Sequence, residues 1–323
     1  MVRLVGVGVD IGATRVRVCV GTEDGRILWR KSKRIQPPEQ EADYVNEIVN
    51  LVQDAMDRSP ARAEVAGIGV ASVGPLDLGR GGMSSPANLP YGFVPLVGPL
   101  AERFDAKVTI MNDASAAALG EKMFGAGKGQ GNLVYITLST GIGGGAIVDG
   151  HLLSGKDGNA AEIGHLVVDP AGRLDCGCGG RGHWEAYCSG RGIPRFAALI
   201  GGEARGSAAG HRLEKQRGRP EGWDPAAIFR AAAERDDLAK RVVEEVGKLN
   251  SVGIANAVNM FDPSLVTIGG GVALNNRELI LTPIRALVPK YSVNRAPQII
   301  ITPLGDDVGL LGALCLAFGA AVE

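Results

Sequence analysis

Short apolar runs alternate with glycine-rich breaks from the first residues of the chain. Leu4–Val9, Arg15–Val20 and Arg26–Arg30 read as strands, and Asp24-Gly25 between the last two is a hairpin signal. Tyr44, Ile48, Leu51, Val52 and Ala55 recur at helical spacing and predict a helix over Glu41–Arg58. Val65–Val70 reads as a short buried strand, and Ala71–Tyr91, rich in Gly, Pro and Ser, as a loop placed to carry function. Lys107–Met111 is a predicted strand, followed by Asn112-Asp113 and an alanine-rich helix over Ala114–Met123. The pattern then starts again, with strands at Leu133–Leu138 and Gly145–Val148 flanking a glycine-rich turn. Residues 172–183 are turn-rich and bear cysteines, and Gly201–Pro220 reads as a polar, basic, exposed excursion. Pro225–Met260 reads as two long helices, Leu265–Ile268 as a strand ending in three glycines, and Val308–Ala321 as a closing helix. Such alternation predicts an α/β fold with helices packed on a mostly parallel sheet.

The two halves resemble each other. VGVDIGATRVRVCV and VYITLSTGIGGGAIV each give strand, Gly/Thr turn, strand. The repeat predicts a duplicated domain, with a phosphate-binding hairpin from each half facing a shared cleft. A length of 323 residues is compatible with two domains at ~150 residues each.

Composition narrows the functions. The 34 basic and 35 acidic residues leave a net charge of −1, which gives no pull toward nucleic acid or an anionic membrane. No apolar run reaches the ~18 residues of a spanning helix, and the N-terminus lacks a signal-peptide pattern, so a cytoplasmic location is expected. Five cysteines in so long a chain do not read as a disulfide framework. Glycine is in excess, 48 residues or ~15 % against a usual ~7 %. Residues 120–190 hold 19 of them, which suggests backbone cleared for close approach of ligands.

Two common nucleotide motifs are absent. No stretch matches GxxxxGK[ST], and Gly6-Val7-Gly8 is not completed to a dinucleotide fingerprint. Asp10 instead ends the first strand, where a carboxylate tolerates phosphates only across a divalent cation. Gly12, Thr14 and Arg15 offer amide, hydroxyl and guanidinium donors to phosphate oxygens. Thr140-Gly141 opens the second such turn, and Gly269-Gly270-Gly271 is a third close-approach site, suited to the nucleoside side of a ligand. Asn112-Asp113 suits a helix N-cap, yet Asp113 could also take a proton from a hydroxyl nucleophile. Glu162, His165 and Glu185 could hold a polyol or be ordinary solvated side chains. Cys176, Cys178 and His183 lie within eight residues on a glycine-rich turn, as tetrahedral zinc requires, with His165 the candidate fourth ligand.

Taken in order, these motifs resemble the ROK family of sugar kinases and repressors, in its glucokinase and hexokinase branch. The resemblance rests on DIGATR, NDASAAALGE, LSTGIGGGAIVDG, GNAAEIGH, CGCGGRGHWEAYCSGRG and IGGGV, and runs nearly end to end. It implies a two-lobed actin-like ATPase (ribonuclease H-like) fold, with residues 1–112 plus 308–323 forming the smaller lobe and 113–307 the larger. It further implies an ATP- and Mg²⁺-dependent phosphorylation of a hexose, glucose first and several hexoses possible, at the 6-hydroxyl. Asp113 would be the general base, and Asn112, Glu162, His165 and Glu185 would bind the other hydroxyls, with Gly74 and Asn88 approaching from the small lobe. Asp10 would position Mg²⁺, while Gly12, Thr14, Arg15, Thr140, Gly141, Gly270 and Gly271 would hold the nucleotide. His165, Cys176 and Cys178 would bind a structural zinc. The family's usual third cysteine is replaced here by His183, with Cys188 as a substitute ligand, and Ser115 stands where asparagine is common.

N-acetylhexosamine or fructose kinases of the same family are the nearest alternatives, and polyphosphate is a second conceivable donor. A sugar-responsive repressor is the rival of another class. It is disfavoured because the first phosphate strand begins by about residue 5, leaving no room for a DNA-binding module. Partners are therefore expected to be hexose and ATP, with neither nucleic acid nor membrane, in a homo-oligomer (dimer or tetramer).

Overall fold

Two five-stranded sheets repeat one strand order in the computed structural model, which describes residues 4–60, 63–86, 89–203 and 224–319. In the first, β1 (Leu4–Ile11), β2 (Val16–Gly21) and β3 (Ile27–Lys33) form an antiparallel meander. On its other side β1 pairs in parallel with β4 (Glu64–Ser72), and β4 with the strand Val108–Asn112. Three short strands, β5 (Leu76–Asp77), β6 (Gly82–Ser84) and β7 (Phe93–Pro95), make a separate small sheet, so Val108–Asn112 is β8. The second large sheet has β9 (Leu133–Leu138) in the middle. Beside it lie β10 (Ile142–Val148) and β11 (His151–Leu152) on one side and β12 (Leu265–Gly269) and β13 (Gln298–Ile301) on the other. The orders β3-β2-β1-β4-β8 and β11-β10-β9-β12-β13 are the same pattern, as the sequence repeat predicts.

By contact density the chain falls into two compact units. One comprises Met1–Tyr135, Gly145–Ala161 and Thr302–Glu323, the other Ile136–Gly144 and Glu162–Ile301. Residues 113–135 and 145–161, which include parts of β9 and β10 and all of β11, therefore fall in the unit that holds the first sheet, not with the later part of the chain as the sequence suggested. The physical reason lies in α3 (Asp113–Phe124), which follows α1 (Glu41–Asp57) and α2 (Val97–Phe104) in the chain. It packs on the last helix of the chain, Val308–Ala317, in the first unit.

That last helix has an apolar residue or glycine at each of its ten positions, and all ten are buried. A helix apolar all round belongs inside a fold, and this one lies against β1, β4 and α3. α1 shows the complementary case. Its face of Tyr44, Val45, Ile48, Leu51, Val52 and Ala55 is buried, and Glu41 and Asp43 sit in its first turn, where the helix dipole favours negative charge. Together with Val7, Val9, Val18, Ile68 and Val70 of the sheet, that face builds the core of the first unit.

The second unit holds α4 (Glu185–Cys188), α5 (Gly192–Glu203), α6 (Pro225–Ala233), α7 (Asp237–Phe261), α8 (Gly271–Asn275) and α9 (Arg277–Tyr291), which makes the last helix α10. Asp236 caps α7 by accepting from the Ala239 amide at 2.9 Å. The predicted helix pair over Pro225–Met260 is thus α6 and α7. Three expectations are corrected. The loop Ala71–Tyr91 contains β5 and β6, which at two and three residues are too short to show a period. β10 starts at Ile142 and not at Gly145, because Gly143, Gly144 and Gly145 are part of the strand. The closing helix stops at Ala317, before Gly319 at φ +69°. Of the excursion Gly201–Pro220, the first three residues end α5 and the rest lie outside the described residues.

Glu121 of α3 is fully buried. Its Oε2 accepts from the Ala126 amide at 3.0 Å. Burial raises its pKa above the usual carboxylate value, partly opposed by the Thr302 hydroxyl and the Ala126 amide. In the unfolded chain this carboxyl loses its proton near the ordinary 4.5, but the folded protein keeps it to higher pH. Its contribution to stability is therefore full below that value and is lost as pH rises through the folded pKa. Glu121→Gln is expected to gain stability over wild type between acid and neutral pH, a difference that chemical denaturation at pH 4.5 and pH 8 measures. An equal difference at both pH values would contradict it.

Candidate functional site

The expected ligands of the first unit gather at the C-terminal ends of β1, β4 and β8. Asp10 is buried in β1, opposite Arg17 in the β1–β2 register. Arg17 donates to Asp10 Oδ2 from Nε at 2.8 Å and from a terminal nitrogen, and its other terminal nitrogen donates to the Asp306 carbonyl. Burial raises the Asp10 pKa, and the Arg17 charge and hydrogen bonds oppose the rise. The β1–β2 turn is closed by the Gly12 amide donating to the Arg15 carbonyl at 2.9 Å. Thr14 and Arg15 stand exposed on it. A cavity of about 150 Å³ beside the turn is lined by Gly12, Thr14 and Arg15 with Arg34, Gln36 and Tyr44. Gly74 follows β4, held near the end of β1 by the Val73 amide donating to the Ile11 carbonyl at 3.0 Å. Asn88 lies outside the described residues.

Asn112 and Asp113 divide their work. Asn112 is the N-cap of α3, its Oδ1 accepting from the Ala114 and Ser115 amides at 3.0 and 3.2 Å. Asp113 is the first helical residue, half-buried, with Oδ1 accepting from the Ala114 amide at 2.8 Å.

The second unit assembles the other candidates. Its Thr140-Gly141 turn joins β9 to β10, with the Ser139 amide donating to the Gly141 carbonyl at 2.9 Å. Gly270 lies against it. At φ +85°, with the Leu138 carbonyl oxygen 2.4 Å from where a Cβ would stand, this position accepts only glycine. Gly271 then opens α8. Glu185 links this turn to the acid and imidazole groups. Its Oε2 accepts from the Ile142 amide at 2.8 Å, and its Oε1 lies 3.9 Å from the Cys176 sulfur. Cys176 in turn stands 3.7 Å from His165 Nδ1, while His165 Nε2 lies 3.9 Å from Glu162 Oε2. Desolvation raises the Glu162 pKa, opposed by His165 and reinforced by Glu185. Glu162, His165 and Glu185 thus form one polar patch bordering the second glycine turn.

The four expected metal ligands also come together. The ligand atoms of His165, Cys176, Cys178 and His183 all lie within 4.8 Å of one another, with His183 Nδ1 3.3 Å from the Cys178 sulfur. A tetrahedral zinc with Zn–S of ~2.3 Å and Zn–N of ~2.0–2.1 Å has S···N edges of roughly 3.5 Å, so donor set and spacing both fit. Cys188 is not part of the group. It is fully buried on α4, with its thiol 3.6 Å from the Val246 carbonyl of α7, which removes it as a substitute ligand. The neighbouring Trp184 anchors the segment to α7, its indole N–H donating to Asn250 Oδ1 at 2.8 Å and its ring lying over Gly253.

Sequence reasoning missed Arg17, Asn159, Asp169 and Tyr187. Strand alternation with the turn at residues 12–15 places Arg17 opposite Asp10, so that pair was legible. Asn159 binds both backbone groups of Leu76, accepting from its amide at 3.1 Å and donating to its carbonyl at 3.3 Å. No sequence spacing signals a pairing so distant along the chain.

Comparison with known proteins gives a consistent result. The chain matches the ROK family over residues 6–320. It is 38 % identical to a glucokinase of Aeropyrum pernix, covering 97 % of this chain and 96 % of that protein. A Thermotoga maritima glucokinase is 35 % identical, with 97 % of each covered. Among solved structures, a ROK family glucokinase from Streptomyces griseus in complex with glucose and AMPPNP superposes with a TM-score of 0.78. It is 34 % identical, over 97 % of this chain and 98 % of that one. No helix among the described residues is long and apolar enough to cross a membrane.

Proposed function

The chain belongs to the ROK family, and from that premise we propose how this ATP-dependent hexose kinase works: glucose is its preferred acceptor and the 6-hydroxyl its nucleophile. The observation that supports this reading most is the double attachment of Glu185. One of its carboxylate oxygens accepts from the amide next to the Thr140-Gly141 turn, and the other faces the group that holds His165. A polyol held by Glu162, His165 and Glu185 is thereby registered against a turn whose glycines suit phosphates. Paired carboxylates recognise vicinal hydroxyls, and a pocket built to hydrogen-bond hydroxyls rejects analogues that lack them.

Phosphoryl transfer leaves a protein little covalent work, so positioning and electrostatics carry it. Asp113 accepts the proton of the 6-hydroxyl, and Asn112 and Gly74 complete the contacts to the sugar. Asp10, with Oδ2 held by Arg17, places Mg²⁺ directly or through water. Gly12, Thr14, Arg15, Thr140, Gly141, Gly270 and Gly271 bind the nucleotide. His165, Cys176, Cys178 and His183 hold a structural zinc, which when bound supplies a fixed point for the segment and no chemistry on the substrate. With Nδ1 toward the cysteines, His165 presents Nε2 toward Glu162 and a sugar hydroxyl, in one tautomer.

The test is ADP release from ATP across a panel of glucose, mannose, fructose and N-acetylglucosamine, repeated with polyphosphate as donor. Glucose with ATP is expected to give the highest kcat/KM. A higher value for N-acetylglucosamine or fructose would move the protein to another branch of its family. Absence of any sugar-dependent turnover would remove the kinase reading.

A further inference from the structure

We propose that Asp169 is the positioning residue of the His165/Cys176/Cys178/His183 cluster, its buried carboxylate fastening both ends of the hairpin that carries three of the four ligands. The proposal rests on reading that cluster as a metal site. Asp169 is not itself a member of it.

Four donors converge on this one carboxylate. Oδ1 accepts from the Ala171 amide at 3.2 Å. Oδ2 accepts from the Arg173 amide at 3.2 Å, from Arg173 Nε at 2.9 Å and from the Tyr187 hydroxyl at 2.6 Å. Only 8 % of Asp169 is exposed, so an unsatisfied carboxylate would be costly there, and the convergence of donors explains its burial. The backbone of the same residue continues the network. Its amide donates to the Gly182 carbonyl at 3.1 Å, and its carbonyl accepts from the Gly172 amide at 2.9 Å.

From this hub the constraint reaches the ligands by short steps. Tyr187, held by Asp169, accepts from the Leu174 amide at 2.9 Å, two residues before Cys176. Leu174 in turn accepts from the Gly182 amide at 3.0 Å, one residue before His183. Between those ends, the Cys176 amide donates to the Gly180 carbonyl at 2.7 Å and the Gly179 amide to the Cys176 carbonyl at 3.0 Å, which turns the chain through Cys178. The ring of Tyr187 is fixed edge-on against Phe196 of α5, with centroids 5.1 Å apart. The loop's shape is therefore set by a carboxylate that touches none of the expected reactants. Its consequence is a ligand set held together by protein hydrogen bonds before any cation binds.

The experiment compares Asp169→Asn and Tyr187→Phe with wild type in two readouts. One is the rate of zinc release to a chromogenic chelator, and the other is the visible absorption of the Co²⁺-substituted protein, which reports ligand geometry. Removing partners that orient metal ligands typically weakens binding 10- to 100-fold. Release is therefore expected to be roughly 10- to 100-fold faster in each variant, with altered Co²⁺ bands. Ile284→Val, in the buried packing of α9, is the control for general destabilisation. It should lower the melting temperature and leave release and spectrum unchanged. Tyr187→Phe, which removes one oxygen, carries the test if Asp169→Asn does not fold. Wild-type release rates and Co²⁺ spectra in both variants, or release in Ile284→Val that accelerates as much as theirs, would overturn the proposal. A wild-type protein purified without chelator that holds no zinc and takes up no Co²⁺ would overturn the metal reading itself and this proposal with it.

Discussion

Asp113→Asn is expected to fold as wild type does and to lose at least ~100-fold in kcat, with hexose KM little changed. The substitution is informative because the helix it opens is capped by its neighbour. Asn112 Oδ1 takes the Ala114 and Ser115 amides, so removing the Asp113 charge does not uncap α3. The bond from the Ala114 amide to Asp113 Oδ1 at 2.8 Å is also within reach of an asparagine carbonyl. What asparagine cannot do is accept the proton of an attacking hydroxyl. A general base contributes about 10²- to 10⁴-fold, or roughly 3–5 kcal/mol of barrier at 1.36 kcal/mol per decade. Residual turnover above the uncatalysed rate should remain, since positioning and charge on the phosphates do most of the work in this chemistry. Asn112→Ala offers the contrast, because loss of the cap costs about 1 kcal/mol of stability and mixes folding with catalysis. The check is a steady-state assay beside a thermal melt. A well-folded Asp113→Asn within ~5-fold of wild type would remove Asp113 from the role of base.

The reasons that Asp113 and the clustered cysteines and histidines could be picked out in the sequence are local. Asn112-Asp113 follows a strand directly, and Cys176, Cys178 and His183 fall within one turn-rich segment, so spacing along the chain is close to spacing in the fold. Long periodic elements such as α1 and α7 were legible for the same reason, because their buried faces repeat within one window. Asp169 and Asn159 escaped because the partners that mark them out, Tyr187 and Leu76, are fixed by tertiary register. Nothing in the spacing of Asp169 and Tyr187, or of Asn159 and Leu76, distinguishes these residues from solvated polar ones. Cys188 shows the reverse error, a ligand type at a plausible spacing whose side chain faces α7. Glycine serves helix packing as well as turns. The run at 143–145 lies in β10, and a Cβ on Gly145 would stand 2.5 Å from the Ala114 carbonyl of α3, so helix packing shares that glycine-rich segment with the Thr140-Gly141 turn. Gly6 and Gly8 failed as a nucleotide fingerprint. With Gly67 and Gly69 they alternate along paired strands, and every one of the four meets α10 or Phe318 just beyond it. Period-two glycine on two neighbouring strands is a packing signal available in the sequence.

Gly69→Ala tests that reading with an expected loss of about 3 kcal/mol or more. The usual effect of this exchange at a strand position with ordinary φ is a gain of ~0.4–1 kcal/mol, because alanine narrows the unfolded ensemble. Gly69 has no positive φ, so strain in its own backbone does not oppose that gain. The opposition comes from α10. A Cβ on Gly69 would lie 1.9 Å from the Ala313 carbonyl oxygen, 2.7 Å from the Ala317 amide nitrogen and 2.8 Å from the Leu316 Cβ. Two of those three atoms are backbone, so no rotamer change relieves the contact, and α10 must move away from β4 as a body. Gly312 restrains that movement on its other side. There a Cβ would stand 2.1 Å from the Ala116 carbonyl of α3, which shows how closely the two helices touch. Overpacking that side chains can absorb costs ~1–3 kcal/mol, and displacing a ten-residue buried helix lies at or above the top of that range. At ~2–4 °C per kcal/mol for units of 150–250 residues, the melting temperature should fall by about 6 °C or more, or the protein should fail to accumulate in folded form. Gly92→Ala is the matched control, since nothing lies within 4 Å of its Cβ position and φ is not positive there. It should leave the melt unchanged or raise it slightly. The sign of the difference between the two variants is the measurement. If Gly69→Ala melts as high as Gly92→Ala, the glycines of β1 and β4 are not there to admit α10.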